Sequence, residues 1–220
     1  MIRSLKLLGV AAAVLVPALS STEASAQPYG PPPPPGYGSY NPWQWHQGLT
    51  FEGNLGFGFM WARDSSGDIS QSDTQGALGY AIGLGGWLNP QVALSLRISG
   101  NVFSQDLGGG FSEVFSQTFV GPSIQFWLDP HLWLGGGVGA AVARVFTHDD
   151  IEGGSFDDNS QTGFGLDLRI GYSFAHPRNP NSWNISAEFT PGFYSSRDLA
   201  GGSVTQQLNG FAILFGYQFL

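Results

Sequence analysis

Between Leu49 and Leu220, large apolar side chains recur at every second position in eight successive stretches. Alternation with a period of two places one set of side chains on each face of an extended chain, so each stretch reads as a β-strand with one greasy face. The stretches are Leu49 to Trp61, Ala77 to Leu88, Gln91 to Phe103, Val114 to Leu128, Leu132 to Phe146, Gly163 to Phe174, Trp183 to Tyr194 and Val204 to Leu220. The last is the clearest. Phe211, Ile213, Phe215, Tyr217 and Phe219 lie on one face, with Ala212, Leu214, Gly216, Gln218 and Leu220 on the other. An apolar strand of this kind at an open sheet edge invites aggregation, so it needs a partner on each side and an apolar solvent outside. A closed barrel in a membrane meets both needs.

The charges follow the same alternation. Glu52, Arg97, Asp167, Arg169 and Glu188 all fall on the polar parity of their strands. A tilted barrel strand climbs roughly 2.5 Å per residue, which places all five inside an apolar band about 25 Å tall. An Arg facing lipid at mid-membrane costs about 2–4 kcal/mol, so hydrophobicity and charge select one register, with the five groups inside. Glu188 is expected opposite Arg169, with Arg97 reaching toward Glu52 or Asp167. They form either a satisfied internal plug or a polar gate. Inward rows of Gly and Ala, such as Gly135, Gly137 and Gly139, leave space that water could fill. Arg144 has outward parity but lies above the band.

The connections alternate in length. Asn89-Pro90, Asp129-Pro130 and His176 to Asn181 are short. Ala62 to Gly76, Ser104 to Glu113, Thr147 to Thr162 and Ser195 to Ser203 are long, the pattern of a barrel with short periplasmic turns and longer outer loops. Trp87-Leu88-Asn89-Pro90-Gln91-Val92 is echoed by Trp127-Leu128-Asp129-Pro130-His131-Leu132, and its Trp residues are expected near the membrane boundary. Pro122 and Pro191 fall on the lipid parity inside strands, where each suggests a bulge.

Ahead of the strands, Arg3 and Lys6, the apolar run Leu7 to Leu19 and Ala24-Ser25-Ala26 read as a signal peptide over residues 1–26. Residues 27–47 are a Pro/Tyr/Gly-rich periplasmic linker containing Pro31 to Pro35, and residues 48–220 are the barrel. Trp43 and Trp45 are expected to anchor the end of the linker at the headgroups. After residue 26 the chain has six Arg, no Lys and 15 acidic residues, a net charge of 6 − 15 = −9 that disfavours nucleic acid as a partner. The absence of cysteine excludes a disulfide framework.

The signal peptide, eight amphipathic strands, short turns and aromatic last strand together resemble the small eight-stranded outer-membrane β-barrels of the OmpA-like and OmpX-like kind. The resemblance implies an all-β, eight-stranded, antiparallel up-and-down transmembrane barrel in the outer membrane of a Gram-negative bacterium, with both termini periplasmic. It also implies contact with outer-membrane lipid and lipopolysaccharide. Phe215, Gly216, Tyr217 and Phe219 resemble the family's C-terminal signal for the barrel assembly machinery, although Leu220 rather than an aromatic residue is last.

No cofactor, metal ligand or catalytic group is expected. Asp149 to Asp158 lacks EF-hand spacing. His148, with Asp149, Asp150 and Ser160 nearby in sequence, is the one arrangement that a lipid hydrolase could use. The expected role is structural or surface interaction through acidic outer loops by a monomer. A small pore is the alternative, and a lipid-modifying enzyme the third reading.

Overall fold

The computed structural model describes residues 46–64, 74–108, 111–149, 156–174, 181–197 and 203–220. The expected signal peptide and most of the expected linker, including Pro31 to Pro35, Trp43 and Trp45, lie outside the described residues. So do Asp68, Asp73, Asp150, Glu152 and Asp198 of the long connections.

Eight strands form: β1 (Leu49–Asp64), β2 (Gln75–Asn89), β3 (Val92–Gly108), β4 (Phe111–Trp127), β5 (Leu132–Asp149), β6 (Phe156–Ser173), β7 (Asn181–Arg197) and β8 (Ser203–Phe219). Each pairs antiparallel with its sequence neighbours, and β8 returns to β1 (Phe51 opposite Phe219) to close the barrel. Closure removes the apolar edge that β8 would otherwise present. Both Leu49 and Leu220 sit at the end carrying the short turns, called here the terminal end; the other is the loop end.

The outer face confirms the alternation. Phe57 is 81 % exposed, and Leu55, Ile82, Ile98, Ile124, Val138, Ile170 and Phe215 are exposed around the circumference. On every strand this apolar run extends roughly ten to twelve residues from the terminal end, or about 25–30 Å of height. Such a belt makes the barrel a membrane-spanning one. Among the described residues no helix is long and apolar enough to cross a membrane. At the terminal end the belt closes with stacked aromatics. Trp183 lies 5.4 Å from Phe215 and 5.5 Å from Tyr217, and His131 stacks on Tyr172.

Three expectations need correction. First, two of the four long connections are largely strand. β3 and β4 consume nearly all of Ser104 to Glu113, and β5 and β6 much of Thr147 to Thr162. Strand pairing above the membrane does not require apolar alternation, so periodicity could not reveal it. Second, Pro122 and Pro191 produce no bulge. The β4–β5 rungs from Gly121 to Pro122 are missing and pairing resumes in the same register at Ser123, opposite Gly137. Likewise β6–β7 pairing skips Pro191 and keeps its register from Phe164–Phe193 to Leu168–Phe189. Each proline keeps its partner on the other side, Leu96 and Asn209 respectively. Losing one N–H opens the ladder locally without adding a residue. Third, Trp87 and Trp127 point into the barrel, as their odd parity on β2 and β4 requires.

The ladders end at different heights. Pairing between β2 and β3 stops at Leu78–Val102, and between β6 and β7 at Phe164–Phe193, both at the top of the apolar belt. Pairing across β3, β4, β5 and β6 continues to Gly108–Phe111 and His148–Phe156. A four-stranded wall therefore rises beyond the belt with an unpaired edge on each side. On β6 the edge is eight residues long, from 156 to 163, or about 20 Å.

Candidate functional site

The lumen is filled in three layers. At the terminal end Trp87, Trp127, Trp133, Ala93 and Leu220 form an apolar disc. His46, three residues ahead of β1, is sealed into it at 2 % exposure. Its ring stacks on Trp87 at 4.1 Å and meets Trp127 edge-on at 4.6 Å, and Nδ1 donates to the Pro90 carbonyl at 2.6 Å. Thr50 donates to the Phe219 carbonyl (2.6 Å), and Gln125 lies 3.5 Å from Gln218, just above the disc.

The middle layer holds the five charged residues, all buried. Arg97 bridges three carboxylates: it pairs with Glu52 and Glu188 through its two Nη atoms, and its Nε is 3.4 Å from Asp167. Arg169 donates to Glu52 at 2.7 Å and to the Ser123 hydroxyl at 2.9 Å, lies 3.7 Å from Asp167 and packs over the Trp133 ring at 5.4 Å. Thus the register does set Arg169 opposite Glu188, but the ion pair found for Glu188 is with Arg97. An Arg side chain is long enough to cross a lumen this narrow, so sequence-adjacent rungs do not decide pairing. A cavity of about 10 Å³, room for roughly one water, separates this layer from the disc.

In the third layer Gln117 donates to the carbonyls of Thr190 (2.8 Å) and Leu208 (2.9 Å), and Phe119 and Tyr194 are each 2 % exposed. The inward glycines do not leave water-filled space. A β-carbon at Gly135 would meet the Arg169 stem, one at Gly171 the Trp133 indole, and one at Gly137 or Gly165 the Phe119 ring. They are seats for large neighbours.

Phe119, Trp133 and Gln117 were legible from parity but carry no charge to draw notice; His46 carried no signal. On the lipid face, Phe215 and Tyr217 join the girdle, while Gly216 admits Asn54, whose Oδ1 lies 2.0 Å from where a β-carbon would stand. At the loop end His148 is paired across the ladders with Ser112 and Phe156. Ser160 instead faces Arg144, four residues or roughly 13 Å along the strand. Among the described residues no three His, Asp or Glu are grouped to hold a metal ion.

Comparison with solved structures gives this arrangement its context. The attachment invasion locus protein Ail of Yersinia pestis, solved in complex with the heparin analogue sucrose octasulfate, superposes with a TM-score of 0.53 at 13% identity, over 79% of this chain and 99% of its own. The fold is that of the small eight-stranded outer-membrane β-barrels. Two other such barrels match as well. They are Neisserial surface protein A (16% identity, 78% of this chain and 96% of its own, TM-score 0.43) and OprG of Pseudomonas aeruginosa (14%, 79% and 97%, 0.44). No protein-family model matches the chain, and no curated protein matches it either. What this outer-membrane barrel shares with Ail is the architecture, and its charge layer is understood from its own geometry.

Proposed function

We propose that this chain is a non-catalytic outer-membrane barrel whose role is surface interaction, with the terminal end in the periplasm and the loop end outside. The observation that carries the reading is the β3–β6 wall, whose backbone pairing outlasts its neighbours above the apolar belt. Its edges offer rows of backbone donors and acceptors to an extended segment of a partner. By sequence, the connections and strand ends that lead to this end carry eleven acidic residues but only Arg63, Arg144 and Arg197, which favours a cationic partner. That charge opposes an anionic sugar such as the heparin analogue bound by Ail. The filled lumen supports a barrel closed to ions. Lipid and lipopolysaccharide surround it, the last strand is read by the assembly machinery, and the barrel is a monomer.

The test has two arms on the purified full chain. Binding of a Lys/Arg-rich extended peptide should exceed that of its Glu-rich counterpart, weaken with salt, and fall in the Asp157→Asn/Asp158→Asn variant. Equal binding of both peptides refutes the surface reading. In planar bilayers no steady single-channel conductance is expected. A steady conductance would replace this reading with the small pore, for which the charged middle layer is the one supporting feature. Lipopolysaccharide acyl chains should be unchanged on expression, with and without His148→Ala.

A further inference from the structure

The charge layer does not balance. Glu52, Asp167 and Glu188 bring three negative charges and Arg97 and Arg169 two positive ones, so one negative charge is left over among buried side chains. The guanidiniums approach Glu52 at Oε1, Asp167 at Oδ2 and Glu188 at Oε2. Among the described residues, the second oxygen of each carboxylate (Oε2 of Glu52, Oδ1 of Asp167 and Oε1 of Glu188) is buried without a hydrogen-bond partner. An uncompensated charge in such surroundings is strongly unfavourable.

The small cavity between the charge layer and the disc lies against this surplus. Thr50, Glu52, Ser95, Gln125 and Gln218 line it. Its hydroxyls have spent their hydrogens elsewhere. Thr50 donates to the Phe219 carbonyl at 2.6 Å and Ser95 to the Ser123 carbonyl at 3.5 Å, so both have only lone pairs left to offer. The Gln125 and Gln218 amides face each other in a reciprocal pair at 3.5 and 3.4 Å, which leaves each carbonyl oxygen a further lone pair. The disc shields this spot from the terminal end. Gly48, with a φ of +76°, turns the chain back under the barrel there and brings His46 against Trp87 and Trp127.

We propose that this cavity is a binding site for one small monovalent cation, of the size and charge of Na⁺, held by Glu52 and by the lining hydroxyl and amide oxygens. Charge and size decide the class. The layer lacks one positive charge, and one carboxylate lines the cavity. Ca²⁺ takes roughly six to eight oxygens and Mg²⁺ keeps several of its waters, for which a space of about 10 Å³ has no room. A single carboxylate among neutral oxygens suits a weakly charged, hard ion instead. The bound cation completes the neutrality of the layer and ties it to the disc. With the disc on one side and the third layer on the other, the ion is taken up as the barrel folds and is not passed through it. Its binding is therefore read in the folding equilibrium.

The test is urea unfolding and refolding of the full chain in lipid vesicles at about pH 8, where carboxylates in water are ionised. NaCl is exchanged for N-methylglucamine chloride at constant ionic strength, the organic cation being too bulky for the cavity. The folded-to-unfolded ratio should rise by up to about tenfold for each tenfold rise in Na⁺ above the dissociation constant. Asp167→Asn removes the surplus charge and should lose most of that dependence. Ser95→Ala removes one ligand and should move the dependence to higher Na⁺; it carries the comparison alone if Asp167→Asn fails to fold. A parent chain whose folding is indifferent to Na⁺ overturns the proposal, and a proton held by the carboxylates in place of the ion would give that result. A Na⁺ dependence of equal size in the parent and in the variants would belong to the acidic surface, and overturns it as well.

Discussion

Gly135 and Arg169 are partners on one rung of the β5–β6 ladder, and a β-carbon on Gly135 would stand 2.3 Å from the Arg169 Nε. The glycine is what lets the guanidinium lie flat across the lumen. Gly135→Val should therefore overpack the charge layer and cost about 1–3 kcal/mol. Gly136→Ala, one residue along and facing outward, has no contact closer than 3.5 Å and should be nearly neutral. Urea unfolding in lipid vesicles measures both.

Arg97 neutralises Glu52, Asp167 and Glu188 together. Arg97→Met should cost about 3–5 kcal/mol, because it strands buried carboxylates. Adding Glu188→Leu to it should recover part of that loss, since an apolar pair can replace a buried ion pair. If the double variant is as unstable as the sum of its parts, the coupling assigned here is absent.

Phe57 is the most exposed of the apolar belt residues described and sits near its middle. Phe57→Arg should cost about 2–4 kcal/mol in a bilayer. The same substitution at Ser104, beyond the belt on β3, should cost much less. Equal costs at the two sites would contradict the placement of the belt.

The two echoed turns differ in two titratable residues, Asp129 in place of Asn89 and His131 in place of Gln91, and the carboxylate is the one that caps the turn. The Asp129 carboxylate accepts from the N–H groups of Leu132 (2.8 Å) and His131 (2.7 Å), which hold it below its ordinary value. Its contribution is present above the ordinary carboxylate range and is lost as pH falls through the lowered value. In the other turn the neutral Asn89 accepts from the Gln91 N–H at 2.8 Å. Acidification should raise hydrogen exchange, corrected for its intrinsic pH dependence, at His131 and Leu132 but not at Gln91. Asp129→Asn should remove the difference.

Strand number, facing and the membership of the charge layer were legible because a period of two and the cost of charge in lipid constrain the same positions. Glu52, Arg97, Asp167, Arg169 and Glu188 lie together where parity and height put them. Trp87 and Trp127 show where a residue-type preference misleads. Parity already turned them inward, and the affinity of indoles for headgroups is a weaker constraint than the pleat. The ion-pair partner of Glu188 was not legible, because rung pairing ignores side-chain reach. The heights of the outer ladders left no trace in hydropathy, since water faces both sides of the wall there. The seat of His46 depends on a backward turn at Gly48, and a single glycine announces no such turn.

The inward disc also divides the described indoles into two optical populations. Trp87, Trp127 and Trp133 lie in a dry interior that acyl chains cannot reach, whereas Trp61 and Trp183 face outward near opposite limits of the belt. With Trp43 and Trp45, which lie outside the described residues, replaced by Phe, lipids brominated along their tails would therefore quench the emission of the outer pair alone. Placing the bromine at successive carbons would gauge the depth of each leaflet separately, against an unquenched internal reference.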